Sequence, residues 1–314
     1  MKVGTGLLNN HWTFDARLSN IGTDGYIDRA SVDLNSYYLQ GGYFAENTSV
    51  KLIAFAGKEK TYHAWGYATK EEMEKFGRRY NPCGEMYTDA DGNKHYYTDQ
   101  TDNYLQKNYQ LLLNHSFSTA WNLNVALHYT KGDGYYEEYK PGSSLVEYGL
   151  KPFNPDGTET NESDLVRQKK MDNKFGGGVF SLNYTGNRLT ASLGGGLNRY
   201  RGNNFGKVTW VKNYIGNLSP EHEYYRNKSK KTDGNIYLKA NYDLTSTLSA
   251  YADLQYRHID YTIDGVNDKY DWNKNALRPL AVDKKFDFFN PKVGLNWNIT
   301  PNHRLYASFS VAQK

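Results

Sequence analysis

The 314-residue sequence predicts an all-β protein, a portion of an antiparallel transmembrane β-barrel with about a dozen strands. Residues 123–130 and 248–257 alternate strictly between apolar or aromatic side chains and polar or charged ones. A period of two indicates strands that carry one apolar face. The charged second face does not suit a soluble β-sandwich, but it suits a strand with lipid outside and water inside.

The lengths of the connections give a second indication of a barrel. Short connections are expected near residues 9, 47, 120, 187, 246 and 301, and they alternate with longer ones near 26, 80, 150, 215 and 275. This arrangement is typical of outer-membrane barrels, which have short periplasmic turns and long extracellular loops. The predicted strand ends carry the aromatic residues of an interfacial girdle: Trp12, Trp121, Tyr129, Tyr184, Tyr242, Tyr256 and Trp297.

The alternation places the strands in chain order. They are expected at residues 2–8, 12–19, 34–44, 50–60, 104–117, 123–130, 174–184, 189–200, 236–243, 248–261, 286–297 and 304–312. Within a strand the apolar side chains should face outward: Leu123, Val125, Leu127, Leu248, Ala250, Leu254, Val293, Leu295, Leu305 and Phe309. Their polar neighbours should face the lumen: Asn124, His128, Asp253, Arg257, Lys292 and Asn296.

The remaining segments are predicted as long loops. The first, 62–103, contains a short helix, in which Thr69 and Glu72 form a capping box and Gly77 ends the helix. A hairpin follows, with strands at 85–88 and 94–98. Three more long loops are expected at 131–172, 201–231 and 262–285.

Composition excludes several classes of protein. Apolar residues make up 38% and mean hydropathy is −0.82, and no apolar run reaches the length of a spanning helix. The net charge of +4 is too small to indicate a nucleic-acid partner. The single cysteine, Cys83, is expected to be a free thiol in a loop. The first residues lack the apolar segment of a signal peptide, so an outer-membrane protein with this sequence is expected to be a fragment.

Several segments resemble TonB-dependent outer-membrane receptors of Bacteroides-type bacteria. They are residues 24–30 (DGYIDRA), 56–65 (AGKEKTYHAW), 102–104 (DNY), 132–139 (GDGYYEEY) and 304–312 (RLYASFSVA). The resemblance implies a 22-stranded barrel closed by an N-terminal plug, of which residues 1–314 would be part of the barrel without plug or signal peptide. It also implies a Gram-negative outer membrane and import of a ferric siderophore, haem, cobalamin or oligosaccharide. The implied partners are this ligand, membrane lipid and lipopolysaccharide, and the TonB complex, contacted through an N-terminal region.

Aromatic residues are concentrated in the predicted long loops, where they either bind a ligand or pack the loops together. The candidate ligand-binding residues are Trp65, Tyr97, Tyr135, Tyr136, Trp210, Tyr225, Arg226 and Lys228. The predicted loop 201–231 holds Trp210, Tyr214 and Tyr225, and it is basic, with Arg201, Lys207, Lys212, Arg226, Lys228, Lys230 and Lys231. Those cations either attract an anionic ligand or face lipopolysaccharide phosphates.

No motif indicates catalysis, a metal site or a cofactor. Residues 89–93 begin like a calcium loop, but Lys94 and Gln100 occupy the positions of the required Gly and Glu. A hairpin turn is therefore expected there. The glycines at 176–178 and 194–196 lie inside predicted strands, and His128 is expected to line the lumen. The alternative functions are a soluble aromatic-rich glycan-binding β-protein and a passive porin.

Overall fold

The computed structural model describes residues 1–151, 156–212 and 222–313. The strands are β1 (Lys2–Gly4), β2 (Trp12–Thr23), β3 (Val32–Phe44), β4 (Thr48–Tyr62), β5 (Glu85–Thr88), β6 (Lys94–Tyr96), β7 (Thr101–Ser116), β8 (Trp121–Ser144), β9 (Glu162–Thr185), β10 (Leu189–Val211), β11 (Glu223–Asp243), β12 (Leu248–Asp271), β13 (Ala276–Thr300) and β14 (His303–Ser310). Between them lie helix α1 (Lys70–Phe76) and a 3₁₀ turn (Leu145–Tyr148). Neither of these helical segments has the length and apolar content to cross a bilayer.

In the described residues twelve strands form one antiparallel sheet in chain order, with β4 paired to β7, and β5 and β6 form a separate hairpin. The prediction of about a dozen antiparallel strands is thus confirmed. Helix α1 has the predicted capping box between Thr69 and Glu72. The turn of the β5–β6 hairpin is held by Asp89, whose carboxylate accepts hydrogen bonds from the backbone of Asp91 and Asn93.

The prediction of long loops at 131–172, 201–231 and 262–285 is wrong for most of their length. These segments continue the strands: β8 runs to Ser144, β10 to Val211 and β12 to Asp271. The connection near 275 is only a tight turn, 272–275. Above a membrane both faces of a strand meet water, so the alternation that marks a strand disappears while backbone pairing continues. At the start of the chain, β1 is shorter than predicted and stops at Gly4.

The two faces of the sheet differ in chemistry as the alternation predicts. Val125 lies opposite Leu113 and Phe180, and Leu127 opposite Leu111, so apolar side chains share one face. On the other face Asn114 donates to Asn124 (2.6 Å), and Asp253 lies opposite Lys292. We call these the outward and lumenal faces.

The lumenal face is concave. His128 of β8 contacts Asn198 of β10 (2.8 Å) across β9, where Gly177 lies between them and adds no side chain. Lys169 of β9 forms an ion pair with Asp268 of β12, although a flat sheet would separate those strands by about 14 Å. Side chains this far apart meet only if the sheet curves toward the face that carries them.

Candidate ligand-binding site on the lumenal face

The structure divides the eight predicted binding residues between the two faces. Trp65 and Tyr97 belong to the connection between β4 and β7, whereas Tyr135, Tyr136, Trp210, Tyr225, Arg226 and Lys228 lie on strands and not on the predicted loops. Tyr136 and Tyr225 share the lumenal face with the ion pair described above. Tyr135, Trp210, Arg226 and Lys228 share the outward face. Tyr214 lies outside the described residues.

Three rings form a compact cluster on the lumenal side. The rings of His63 and Trp65 stack with centroids 3.9 Å apart, and Trp65 meets Tyr136 edge to face at 5.6 Å. The His63 side chain is fully buried, whereas Trp65 remains 52% exposed. An exposed aromatic face held by a buried one is a preorganised platform on which a ligand ring or sugar can stack.

The chain fixes this platform through backbone hydrogen bonds directly after β4. The His63 N–H donates to the Gln100 carbonyl (2.8 Å), which extends the β4–β7 ladder by one step. The His63 carbonyl accepts from the amide of Asn81 (2.9 Å), which also donates to the Asp28 carbonyl (3.0 Å). Asn81 is 1% exposed. It therefore ties the platform to the connection between β2 and β3.

Charged residues that no sequence motif indicated border the platform. Lys169 places its ammonium 5.6 Å from the centre of the Tyr136 ring and pairs with Asp268. Burial alone would lower the pKa of Lys169, but the hydrogen bonds to Asp268 and to Tyr136 together more than offset burial, so the pKa is raised. On the other side, Asp102 lies opposite Tyr136 and 3.5 Å from His63 Nε2. The site thus offers both signs of charge beside an aromatic surface.

Beyond the platform, farther from the apolar belt, a buried cluster supports the extended strands. It contains Leu145, Tyr148, Leu150, Leu165, Val208, Val211, Tyr224 and Tyr225. Tyr225 is only 9% exposed. Its ring packs at 5.0 Å from that of Tyr224. Tyr225 therefore packs within this cluster, and its contact with a ligand stays a prediction.

The outward residues form a separate group. Tyr97 donates to Glu137 (2.5 Å), and the Tyr139 ring lies between those of Tyr97 and Trp210 at 6.1 and 6.2 Å. Arg226 donates to Glu223 (2.6 Å) and covers the Phe205 ring at 4.2 Å. This group lies on the opposite side of the barrel wall from Trp65 and Tyr136. A single ligand in the lumen cannot reach both.

Acidification is expected to loosen the lumenal platform. Burial lowers the pKa of His63 to about 4 from an ordinary value of 6.5. Between these values the unfolded segment binds more protons, so His63 contributes its full stability above pH 6.5 and loses up to about 3 kcal/mol as the pH falls toward 4. Asp102 opposes the loss, because burial and Glu59 raise its pKa and acid then favours its folded form.

Hydrogen exchange of the His63 amide, corrected for the intrinsic rate, should accelerate between pH 7 and pH 4.5. His63→Phe keeps an aromatic ring against Trp65 and removes the titrating group. If this variant shows the same pH dependence, the effect arises elsewhere.

Comparison with known proteins identifies the fold family. The family described as "TonB dependent receptor-like, beta-barrel" matches residues 60–314. No curated protein matches the chain.

Among solved structures, the ferric-catecholate import receptor Fiu from E. coli K12 has a TM-score of 0.62 and 12% identity, covering 100% of this chain and 54% of that chain. The ferric citrate transporter FecA has a TM-score of 0.61 and 10% identity, with 98% of this chain and 40% of FecA covered. The copper transporter OprC has a TM-score of 0.59 and 10% identity, with 98% of this chain and 41% of OprC covered. The chain spans about half or less of these structures, and at such identities the likeness concerns the fold. With most of its length matching the family and a twelve-stranded sheet of the same fold, the chain belongs to the TonB-dependent receptor β-barrel family.

Proposed function

We propose that this chain is the barrel portion of a receptor that takes up a scarce ligand through the outer membrane of a Gram-negative bacterium. Energy would come from the TonB complex through a segment outside these 314 residues. The observation that best supports this proposal is the exposed Trp65 face on the lumenal side, bordered by Tyr136 and Lys169. Such a site captures a ligand by stacking and charge, without covalent chemistry.

A ferric chelate is the first ligand to test, because Fiu and FecA are named for importing ferric catecholates and ferric citrate. Haem, cobalamin and an oligosaccharide also present flat or apolar surfaces to an aromatic platform. Membership of the receptor family argues against a soluble glycan-binding protein. A passive porin has no need of an ordered aromatic platform.

Binding should depend on the lumenal aromatics and not on the outward ones. Trp65→Ala and Tyr136→Ala are each expected to weaken binding by roughly 1–3 kcal/mol, or about 5- to 150-fold, because each removes half of the edge-to-face pair. Isothermal titration of the detergent-solubilised protein with ferric catecholates, ferric citrate, haem, cobalamin and oligosaccharides would identify the ligand and measure the loss.

Trp210→Ala and Tyr97→Ala are the matched controls, since they delete equally large rings from the outward face. Parent-like affinity in both controls, with losses in both lumenal variants, supports the site. Undiminished affinity in Trp65→Ala and Tyr136→Ala would assign those rings to packing.

A further inference from the structure

Two carboxylates without a cationic partner lie beside the aromatic platform. Asp102 of β7 lies opposite Thr61 of β4 on the lumenal face. Glu59, two residues before Thr61, is the diagonal neighbour of Asp102 on the same face. We call Glu59 and Asp102 the acidic pair. In the described parts of the chain, the only basic side chain within ion-pair distance of Asp102 is His63, and none is within that distance of Glu59.

His63 does not neutralise the acidic pair. Its Nε2 lies 3.5 Å from a carboxylate oxygen of Asp102, which is longer than a normal hydrogen bond. Both ring nitrogens are buried and have no hydrogen-bond partner of normal geometry among the described residues. Burial lowers the pKa of His63 to about 4, so the ring is uncharged at neutral pH. The unmet nitrogen and the unpaired carboxylate together lack a donor of N–H hydrogen bonds.

The other charges that border the platform are already paired. Lys169 pairs with Asp268, and Arg167 pairs with Glu138. Each of these two ion pairs contributes no net charge to the site. The acidic pair therefore sets the sign of the charge that a ligand meets at the platform. Both of its residues are partly buried, so salt screens their field less than it screens charges at an open surface.

The exposed face of Trp65 favours a ligand with the opposite sign of charge to the acidic pair. The face of an indole ring attracts a cation more strongly than the face of any other aromatic side chain. A ligand that covers this face also comes close to Asp102, because His63 lies against both residues. A bare metal ion fits less well, since no group of three His, Cys, Asp or Glu side chains in the described residues is placed to hold one.

We propose that the platform recognises an organic cation, whose ammonium, amidinium or guanidinium group binds Asp102 and Glu59 and whose flat or aromatic body covers the Trp65 face. Hydrogen bonds from such a group to a carboxylate are charge-assisted and about twice as strong as neutral ones. An anionic group placed there would be repelled by the acidic pair. A ferric chelate meets this requirement only if its chelator carries such a cation. The inference rests on the proposed function and deepens it, because it names the charge of the imported ligand.

The test uses three probes that share a phenyl ring and a two-carbon chain and differ in charge: phenethylamine, phenethyl alcohol and hydrocinnamate. Each is titrated into the detergent-solubilised protein labelled with ¹⁵N-tryptophan. Binding is followed at the indole N–H signal of Trp65, which is assigned by its loss in Trp65→Phe. Phenethylamine should bind roughly 10- to 100-fold more tightly than hydrocinnamate, as expected for one charge-assisted hydrogen bond. Phenethyl alcohol should fall between the two.

E59Q/D102N should remove the preference for phenethylamine. The matched control is D133N/D172N, which removes two carboxylates that lie opposite each other on the outward face and should keep the preference. Heat-modifiable electrophoretic migration checks folding of every variant. Glu59→Gln alone leaves the contact between Asp102 and His63 in place. It replaces the double variant if that fails to fold, and it should reduce the preference.

Equal binding of phenethylamine and hydrocinnamate by the parent, or a preference that persists in the folded E59Q/D102N variant, would overturn the inference. A Trp65 signal that responds to none of the three probes would overturn it as well. Tighter binding of hydrocinnamate would assign an anionic ligand to the platform instead. Failure of the proposed function is recognised separately, by titrations in which Trp65→Ala binds the imported ligand as tightly as the parent does.

Discussion

Arg167→Met is expected to destabilise the extended ends of the barrel strands by about 3–5 kcal/mol, the largest effect anticipated for one substitution. Arg167 and Glu138 face each other on neighbouring strands, and each side chain is 14% exposed. The Arg167 guanidinium donates to Glu138 (2.6 Å) and to the Tyr148 hydroxyl (3.0 Å). Removing the cation leaves a carboxylate buried without a partner.

Hydrogen exchange would measure the loss locally. The Leu150 amide donates to the Leu145 carbonyl (3.0 Å) and reports on the 3₁₀ turn that contains Tyr148. Its exchange should accelerate strongly in Arg167→Met. The double variant E138L/R167M should recover most of the loss, because an apolar pair of similar size needs no compensating charge. Equal exchange in the single and double variants would show that the ion pair does not hold this turn.

Val125→Arg is expected to cost about 2–4 kcal/mol in a lipid bilayer. Val125 lies midway between Trp121 and Tyr129 on the outward face of β8, so it occupies the middle of the apolar belt. A guanidinium there must leave water or distort the bilayer around it. Guanidinium titration of the protein folded into phospholipid vesicles would measure the change in the free energy of unfolding.

Ala126→Arg is the control for this measurement, because Ala126 is adjacent in sequence and belongs to the lumenal face opposite Leu112 and Val179. Its cost should be much smaller, since the lumen contains water. Leu127→Arg should fall between the two, being outward but closer to the belt edge at Tyr129. A cost for Ala126→Arg equal to that for Val125→Arg would contradict the assignment of the two faces.

The sequence was sufficient to predict those parts of the structure that depend only on residues close together in the chain. Within the membrane each side chain meets either lipid or water, so the alternation from Leu123 to Thr130 predicted both a strand and its faces. Thr69 and Glu72 predicted helix α1, because a capping box involves only four consecutive residues. The turn at Asp89 was predicted for the same reason.

The ends of the long strands could not be predicted in this way. Beyond Thr130 both faces of β8 meet water or packed aromatics, and polarity no longer alternates. Pairing there is decided by the neighbouring backbones: Tyr136 lies opposite Asp102 on one side and Lys169 on the other. These partners are distant in sequence. The charged border of the platform therefore became visible only when the strands were placed in register.

By itself the sequence determined that the chain forms antiparallel strands with one apolar and one polar face, because that choice is repeated locally at every second residue. Only the tertiary structure decided which aromatics meet in the lumen. Val208 and Trp210 are two residues apart on β10, so simple alternation puts both on the lumenal face. A register shift between them leaves Val208 opposite Arg167 and turns Trp210 outward, opposite Val166. One extra residue in a strand moves every later side chain of that strand to the opposite face. The position of the extra residue depends on pairing with the partner strand.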